Sequence, residues 1–377
     1  MATNTRLPTR HMVTALALAA LWLPVSSHAN PLDPTGFASL GALTLGAGQY
    51  FLDTSGAAPT LQDAAHQTLY TGVLFDQGTV FNRFVAVFDF QSIAIGAGAT
   101  LVASGDKPLA LLSQSSVNFA GTLDASGRRG GDQGAGTGGA GGPGAGAGGA
   151  GSLGSGQAQA GGGPGGGQGG FDGLGNCSWG NGGAYGGDGS GIDPCLPVAM
   201  AYGDLPKMLL AGSGGGGTGK NLFGTGAGGG GGGGAVEFGA VNSLTFAGGS
   251  QVLAQGATGG GGTAVISGGG SGGGLFFHAP TISFETSAQG LAAARADGDS
   301  GGRIAFLTSD GTVSGNLASV TVAGGAFGHP GVITFGGLAQ PVPEPSTLAL
   351  LAGGLAAVAG LSRCISRRRS GPAQFSA

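Results

Sequence analysis

Charged residues are scarce in this chain of 377 residues. They make up 8 % of the sequence, whereas globular proteins carry about 25 %. The formal net charge is -4, and Arg6, Arg10 and four arginines near the C-terminus supply much of the positive charge. The stretch between the ends is therefore more acidic than the total indicates. It has no basic patch interleaved with aromatic residues, which excludes nucleic-acid binding.

Long helices are excluded from most of the chain by its glycine content. Ninety residues are Gly, against an ordinary share of about 7 %, and each Gly in a helix costs about 1 kcal/mol relative to Ala. Clustered carboxylates are missing too, since Glu237, Glu285 and Glu344 are isolated and Asp is scattered. Glycoside hydrolysis requires two carboxylates that face each other. The sequence therefore offers no constellation for that chemistry.

A strand pattern is present in two of the three stretches of the body. Residues 30–127 and 235–340 contain short apolar runs, such as Phe84–Phe88 and Leu109–Leu112, separated by Gly, Asp and Ser. Short strands at close intervals with turn residues between them indicate a β architecture. Residues 128–234 form a low-complexity tract dominated by Gly. We predict an all-β body in three parts: an N-terminal β-rich segment, a glycine-rich insertion and C-terminal repeats.

A repeated unit appears when the strand segments are aligned. Val117–Phe119, Leu244–Phe246, Ile282–Phe284 and Ile333–Phe335 all read apolar-polar-Phe. One unit of this kind cannot bury its own face, but stacked units can. We therefore predict a parallel β-helix or β-solenoid, and the pattern resembles the glycine-rich β-helical repeats of bacterial surface proteins. An antiparallel sandwich with a disordered glycine loop is the alternative. In the β-helix, the internal aromatic ladder would consist of Phe119, Phe246, Phe284 and Phe335.

The glycine-rich tract permits two structures. It can be a flexible insertion, because it buries too little apolar surface to offset chain entropy. It can also be an ordered stack of polyglycine strands packed backbone to backbone. We expect partial disorder, since tracts of this composition are more often flexible.

The first 29 residues have the pattern of a secretory signal peptide. Arg6 and Arg10 precede an apolar stretch at 12–23, and small residues stand at the cleavage spacing before Ala29. Signal peptidase is therefore expected to cut between Ala29 and Asn30. An exported chain reaches an oxidising compartment, where Cys177 and Cys195 are expected to form a disulfide. Closing that loop would stabilise the fold by about 3 kcal/mol. A metal site there is the weaker alternative, because the sequence has no Cys-x-x-Cys and no nearby His.

Three features follow one another at residues 341–369. Two prolines make Pro343-Glu344-Pro345 stiff and extended. An uncharged apolar run at 348–361 can enter lipid as a helix of the transmembrane type, although a permanent span needs about 20 residues. A basic stop follows, which the positive-inside rule holds on the cytoplasmic side. It consists of Arg363, Arg367, Arg368 and Arg369.

This arrangement resembles the PEP-CTERM sorting tail of Gram-negative bacteria, and Pro343-Glu344-Pro345 corresponds to the motif that gives the family its name. The resemblance implies an exosortase-like membrane protease as partner, which cuts at or near the motif. It also implies a transient anchor in the inner membrane, followed by release to the cell surface or the extracellular matrix. Residues 370–377 would be a short tail beyond the signal.

Three other motifs resemble known sites without completing them. Gly298–Gly302 spells a serine-protease nucleophile motif, but a triad would require His66 and a carboxylate beside it. A near phosphate loop at 214–220 is followed by Asn221 instead of the hydroxyl that binds Mg²⁺. Asp297 opens a stretch like a calcium loop, yet Thr308 stands where a bidentate glutamate is needed. We expect no catalytic residue, no cofactor and no metal.

The function predicted from these observations is that of a non-enzymatic structural or adhesive protein of the cell surface or the exopolysaccharide matrix, with surface polysaccharide as its expected partner. A polysaccharide lyase or hydrolase is the main alternative, because β-helices host such enzymes. That argument is one of fold alone. Ice binding is a third option, but the threonines are dispersed and form no regular array.

Overall fold

The computed structural model describes residues 31–338, apart from 155, 172–176, 221–223, 264 and 289. The chain divides into two units, Met1–Gly337 and Leu338–Ala377. The predicted signal peptide, the sorting segment at 341–369 and its apolar helix lie outside the described residues. Within the part that is described, no helix is long and apolar enough to cross a membrane.

The described residues form an all-β fold. Their helical structure is a single 3-10 turn, Pro34–Gly36, begun by Asp33, whose carboxylate accepts a hydrogen bond from the Thr35 N–H. Strands make up three main sheets, and most strand pairs in them are parallel. We number the sheets 1 to 3.

Sheet 1 has, in spatial order, β1 (Ala42–Leu45), β7 (Ser92–Ile95), β10 (Ser116–Phe119), β13 (Ser243–Phe246), β18 (Thr281–Phe284) and β23 (Ser314–Gly315). Sheet 2 has β24 (Val320–Thr321), β21 (Ala293–Arg295), β14 (Gln251–Leu253), β11 (Thr122–Asp124), β8 (Ala99–Ser104), β2 (Gly48–Asp53), β3 (Thr60–Gln62) and β4 (Thr68–Thr71). Sheet 3 has β25 (Val332–Gly337), β22 (Arg303–Thr308), β17 (Gly274–His278), β12 (Ala235–Ala240), β9 (Leu109–Ser113), β6 (Phe84–Phe90) and β5 (Val73–Asp76). Two small hairpins pair β15 (Gly261–Gly262) with β16 (Val265–Ile266) and β19 (Thr286–Ser287) with β20 (Gly290–Leu291).

The chain visits the three sheets in a repeating order. Strands β6, β7 and β8 lie in sheets 3, 1 and 2, and β9, β10 and β11 follow in the same order. Beyond the glycine-rich tract, β12, β13 and β14 pair in parallel with β9, β10 and β11. The strands before and after the tract therefore belong to the same sheets. Parallel pairing of this kind excludes the antiparallel sandwich.

The repeated apolar-polar-Phe units lie in register in sheet 1. Phe119 pairs with Phe246, and Phe246 pairs with Phe284. Their ring centroids are 5.8 and 4.7 Å apart along this column. Each ring is at most 1 % exposed, and full burial of one such side chain stabilises the fold by about 2 to 3 kcal/mol.

The prediction for the fourth ladder residue, Phe335, is wrong. Phe335 lies in β25 of sheet 3, where it continues a second column through Phe306, Phe277 and Phe238. It stacks on Phe306 at 5.3 Å and is 49 % exposed. The two columns face each other across the core, and both can be read as apolar-x-Phe, so the pattern alone does not distinguish the sheets.

Sheet 3 is covered on both faces. Its inner face packs in the core between the sheets, while its outer face lies beneath Leu32, Leu205 and Leu209. Every residue of β9 and of β12 is buried. This burial explains why Leu109–Leu112 is continuously apolar, whereas the strands of sheet 1 alternate.

The expectation of partial disorder is wrong for the described residues of the glycine-rich tract. In Gly228–Gly234 successive N–H groups donate to three different neighbours in rotation, and every third residue returns to the same one. A period of three residues per turn is that of a polyproline-II-type helix. The recipients of these bonds are residues 125–131, 146–149 and 268–271.

Segment 228–234 also accepts hydrogen bonds from three further segments, so six segments surround it among the described residues. The donors lie in residues 139–142, 212–215 and 257–260, and Gly274, which follows the accepting segment 268–271, donates to the Gly234 carbonyl. A Cβ atom on Gly231 would overlap the carbonyl oxygen of Ala140. Only Gly permits such close approach of backbones, and the hydrogen bonds offset the entropy that Gly loses on folding. We call this set of hydrogen-bonded glycine-rich segments the glycine array.

The glycine array is formed by the connections between sheet 2 and sheet 3. Residues 125–234 connect β11 of sheet 2 with β12 of sheet 3, and residues 254–273 and 296–302 make the same connection in the next two circuits. All three connections exchange backbone hydrogen bonds, for example Gly230 N–H to Gly268 O and Gly272 N–H to Ser300 O. The array and the sheets therefore form one continuous body.

Candidate functional site

A cleft of about 580 Å³ opens at the edge of the glycine array. It lies between the connections at 255–261, 297–299 and 325–327. Backbone from the glycine-rich segments forms much of its wall. The side chains that line it include Ile192, Gln255, Asp297, Asp299 and Phe327.

Asp297 holds the outer connection of the cleft in place. One carboxylate oxygen accepts the Ala323 N–H at 2.7 Å, and the other accepts the Thr321 hydroxyl at 2.9 Å. The Gln255 amide donates to the second oxygen at a longer 3.4 Å. These bonds position the segment that leads to Phe327.

Asp299 lies deeper in the same wall. Its carboxylate accepts a hydrogen bond from the Ser190 hydroxyl. Burial raises the pKa of Asp299, although the bonds from Ser190 and the Gly269 N–H act in the opposite direction. The Gly325 N–H donates to the Asp299 carbonyl at 2.9 Å, so the outer connection packs directly on this residue.

The chemistry of the cleft suits a neutral ligand that is rich in hydroxyl groups. Carboxylate and amide oxygens can accept hydrogen bonds from hydroxyls. Phe327 is 66 % exposed at the rim and offers an apolar ring face. The described lining contains no Lys, Arg or His, which makes it unsuited to phosphate or carboxylate ligands.

The structure does not assemble a serine-protease triad. Ser300 is fully buried, and its hydroxyl donates to the Gly183 carbonyl at 2.7 Å. His66 lies in the turn between β3 and β4, is exposed and stacks on Phe51 at 4.6 Å. The Gly-Asp-Ser-Gly-Gly sequence is a closely packed, hydrogen-bonded segment of the glycine array.

The near phosphate loop and the near calcium loop are also structural. The N–H groups of residues 214–217 are all bonded within the array, for example Gly215 N–H to Gly230 O. Thr308 ends β22, is buried, and its hydroxyl bonds to Asp310. Thr308 and Asp297 do not share a bonding partner, because the Asp297 carboxylate accepts hydrogen bonds from Thr321 and Ala323.

The structure joins Cys177 and Cys195 in a disulfide, with Cα atoms 5.4 Å apart. The nearby Asp193 carboxylate accepts the N–H groups of Cys195 and Trp179. These three acidic and sulphur side chains lie close enough to hold a metal ion. The sulphur atoms are bonded to each other, however, so neither is available as the thiolate that zinc requires.

A buried polar pair escaped the sequence analysis. Glu237 is fully buried on the outer face of sheet 3, 2.9 Å from Nε2 of His278. The same carboxylate oxygen accepts the Leu32 N–H at 2.8 Å, which ties the N-terminal segment to sheet 3. A polar residue inside an apolar strand was the only signal, and it did not reveal the partners.

The predicted sorting and processing residues lie outside the described residues. They are Ala29, Asn30, Pro343, Glu344, Pro345, Arg363, Arg367, Arg368 and Arg369.

Comparison with known proteins identifies the C-terminal segment. Residues 341–368 match the family model of the PEP-CTERM protein-sorting motif. The chain therefore carries a PEP-CTERM sorting signal, which implies exosortase-dependent sorting to the cell surface or the extracellular matrix. No curated protein and no solved structure matches the chain.

Proposed function

We propose that this protein is a structural or adhesive component of the bacterial surface or the exopolysaccharide matrix. The observation that carries the proposal is the sorting motif at residues 341–368. Signal peptidase would remove residues 1–29, and the apolar run at 348–361 would hold the protein transiently in the inner membrane. An exosortase-like protease would then cut at or near Pro343-Glu344-Pro345 and release the body.

The body would act as a β-solenoid fused to the glycine array. Support comes from the repeated order in which the chain visits the three sheets and from the in-register columns of Phe. A stack of this kind extends by repetition and presents long, regular surfaces. Such a body suits a component of a matrix, where mechanical continuity matters more than turnover.

We assign the contact with surface polysaccharide to the cleft at the edge of the glycine array. Its carboxylate and amide acceptors and the exposed Phe327 ring match the hydroxyls and the apolar face of a neutral sugar. Small-molecule sites commonly combine a few fixed polar groups with aromatic side chains. Under this assignment the protein binds glycan without converting it.

A polysaccharide hydrolase is the second candidate, because Asp297 and Asp299 line the same cleft and hydrolases of this kind use two carboxylates. Against it, the Asp297 carboxylate holds the 321–323 segment and the Asp299 carboxylate holds Ser190, so neither is free to act as nucleophile or proton donor, although each can still accept a hydrogen bond from a sugar hydroxyl. Release of reducing ends from the producer's own polysaccharide, lost in Asp299→Asn, would establish the hydrolase. Binding without release supports the matrix protein.

Binding is tested with the exported protein and the producer's neutral polysaccharide. Phe327→Ala is expected to weaken binding about tenfold, since a stacked aromatic contributes about 0.5 to 1.5 kcal/mol beyond its buried area. Phe171→Ala is the matched control, because Phe171 is also exposed, at 46 %, and lies outside the lining of the cleft. Equal binding by both variants would remove the cleft from the proposal.

Sorting is tested by mass spectrometry of the C-terminus of the surface form. A terminus at or near Pro343-Glu344-Pro345 is the expected result. An intact Arg367-Arg368-Arg369 on the surface form would contradict the processing step.

A further inference from the structure

The two ends of the three-sheet stack are built differently. At the end nearer the N-terminus, sheet 2 continues into β3 and β4, and sheet 3 into β5, all by antiparallel pairing. Aromatic side chains close the core there: Tyr70 packs on Phe90 at 5.1 Å, and Phe37 packs on Phe75 at 6.0 Å. Repeat stacks require such capping elements at their ends.

The opposite end has no comparable cap among the described residues. Strand β25 is the last strand of sheet 3 and pairs with β22 on one side only. Val332 is 40 % and Phe335 49 % exposed, although Ile333 still packs against the core. Strands β23 and β24, which end the other two sheets, have two residues each.

Charge, the usual protection of an edge strand, is also missing from β25 and from the residues around it in the sequence. Residues 311–343 contain no Asp, Glu, Lys or Arg, and His329 is their one ionisable side chain. Proteins commonly place charged residues, especially Lys, or Pro on exposed edge strands to prevent pairing with another chain. Neither occurs in β25.

The chain that follows β25 is poorly suited to cover it as a further strand. Pro341, Pro343 and Pro345 come at every second position, and each lacks the N–H that a strand ladder requires. The prolines therefore make pairing of this segment with β25 unfavourable.

We propose that β25 and the apolar side chains around it form an interface with the same surface of a second copy of this chain. A two-fold axis makes two copies of one edge strand antiparallel and brings identical patches together. The absence of charge from β25 removes like-charge repulsion between the two edge strands, and Val332 and Phe335 supply apolar surface on both sides. Head-to-tail joining is disfavoured because the other end is closed by antiparallel strands. The product is an end-to-end dimer, not an open fibre.

The oligomeric state of the exported, processed protein tests this proposal by analytical ultracentrifugation. The wild-type protein is expected to dimerise. Phe335→Lys and Val332→Lys are each expected to raise the dimer dissociation constant at least about tenfold, because each would place two positive charges against each other in the joint. Phe171→Lys, at another exposed Phe, is expected to leave the constant unchanged.

Circular dichroism and the melting temperature of each variant check that the fold is retained. Two results would overturn the proposal: a wild-type protein that remains monomeric at millimolar concentration, or a dimer that persists unchanged in both lysine variants. The second result would place the interface elsewhere. Because dimerisation does not depend on glycan, its failure is separable from failure of the polysaccharide assignment.

Discussion

At the scale of single residues, the fold tolerates few buried carboxylates, and Asp89 is one of them. Asp89 lies in β6 of sheet 3 and is 2 % exposed. One of its carboxylate oxygens has no hydrogen-bond partner among the described residues. Burial raises the pKa of Asp89 to about 6. The hydrogen bond from Gln114 acts in the opposite direction, and the charge of Asp33 raises the pKa further. The ionised form is therefore unfavourable in the folded protein.

This shift predicts a pH dependence with a definite sign. Between about pH 4 and about pH 6 the folded state holds the Asp89 proton more tightly than the unfolded state, so stability falls as the pH rises through that window. Asp89→Asn removes this titration, and the variant is expected to be more stable than the wild-type protein at neutral pH and equally stable at about pH 3.5. Thermal melts across this range measure the difference.

Asp310 provides the control of opposite sign. Hydrogen bonds from Thr312 lower its pKa, so Asp310→Asn is expected to lose stability at neutral pH. If Asp89→Asn kept the wild-type pH dependence, the assignment of the raised pKa to Asp89 would be refuted.

At the scale of elements, the sequence predicts where the strands lie but not which strands pair with each other. The apolar-polar-Phe units predicted the strands of sheet 1, and three of the four pair in register. Phe335 was misplaced because sheets 1 and 3 both contribute apolar-x-Phe strands. Val80-Phe81 is a further apolar pair in this part of the sequence, yet it forms no strand, and Val80 is fully exposed in the loop before β6.

The glycine-rich segments could not be predicted by the usual reasoning about composition. That reasoning assumes that a chain without apolar side chains has nothing to bury. In the glycine array the backbone itself packs, and hydrogen bonds with a period of three replace side-chain contacts. Sequence shows the absence of side chains, but the spatial neighbours of segment 228–234 come from distant parts of the chain.

A single methyl group tests whether these segments pack as described. Gly231→Ala would place Cβ against the Ala140 carbonyl, which belongs to rigid backbone, and is expected to cost about 3 kcal/mol or more. Gly154→Ala is the matched control, because no atom lies within 4 Å of the position of its Cβ. Denaturant titration gives both values. Equal stabilities of the two variants would argue against close backbone packing.

At the scale of the whole molecule, the sorting signal concerns where the protein is delivered, whereas the body carries the proposed glycan site. The signal could be recognised from Pro343-Glu344-Pro345, the apolar run and the arginines, because these act as a linear pattern. The cleft could not, since Gln255, Asp297 and Phe327 are brought together by three separate connections. The destination of the protein could therefore be predicted from the sequence, whereas the proposed glycan site could be found only from the folded structure.

The order of the glycine array supports both the cleft and the joining of the chain's two strand-rich stretches. Hydrogen–deuterium exchange of the exported protein, read peptide by peptide, measures that order directly. Amides in 212–218 and 226–234 are expected to exchange as slowly as those of β10 and β13, since their N–H groups are bonded and buried. Exchange of these segments at the rate of an unstructured chain, with the strands still protected, would show that the glycine array is not ordered.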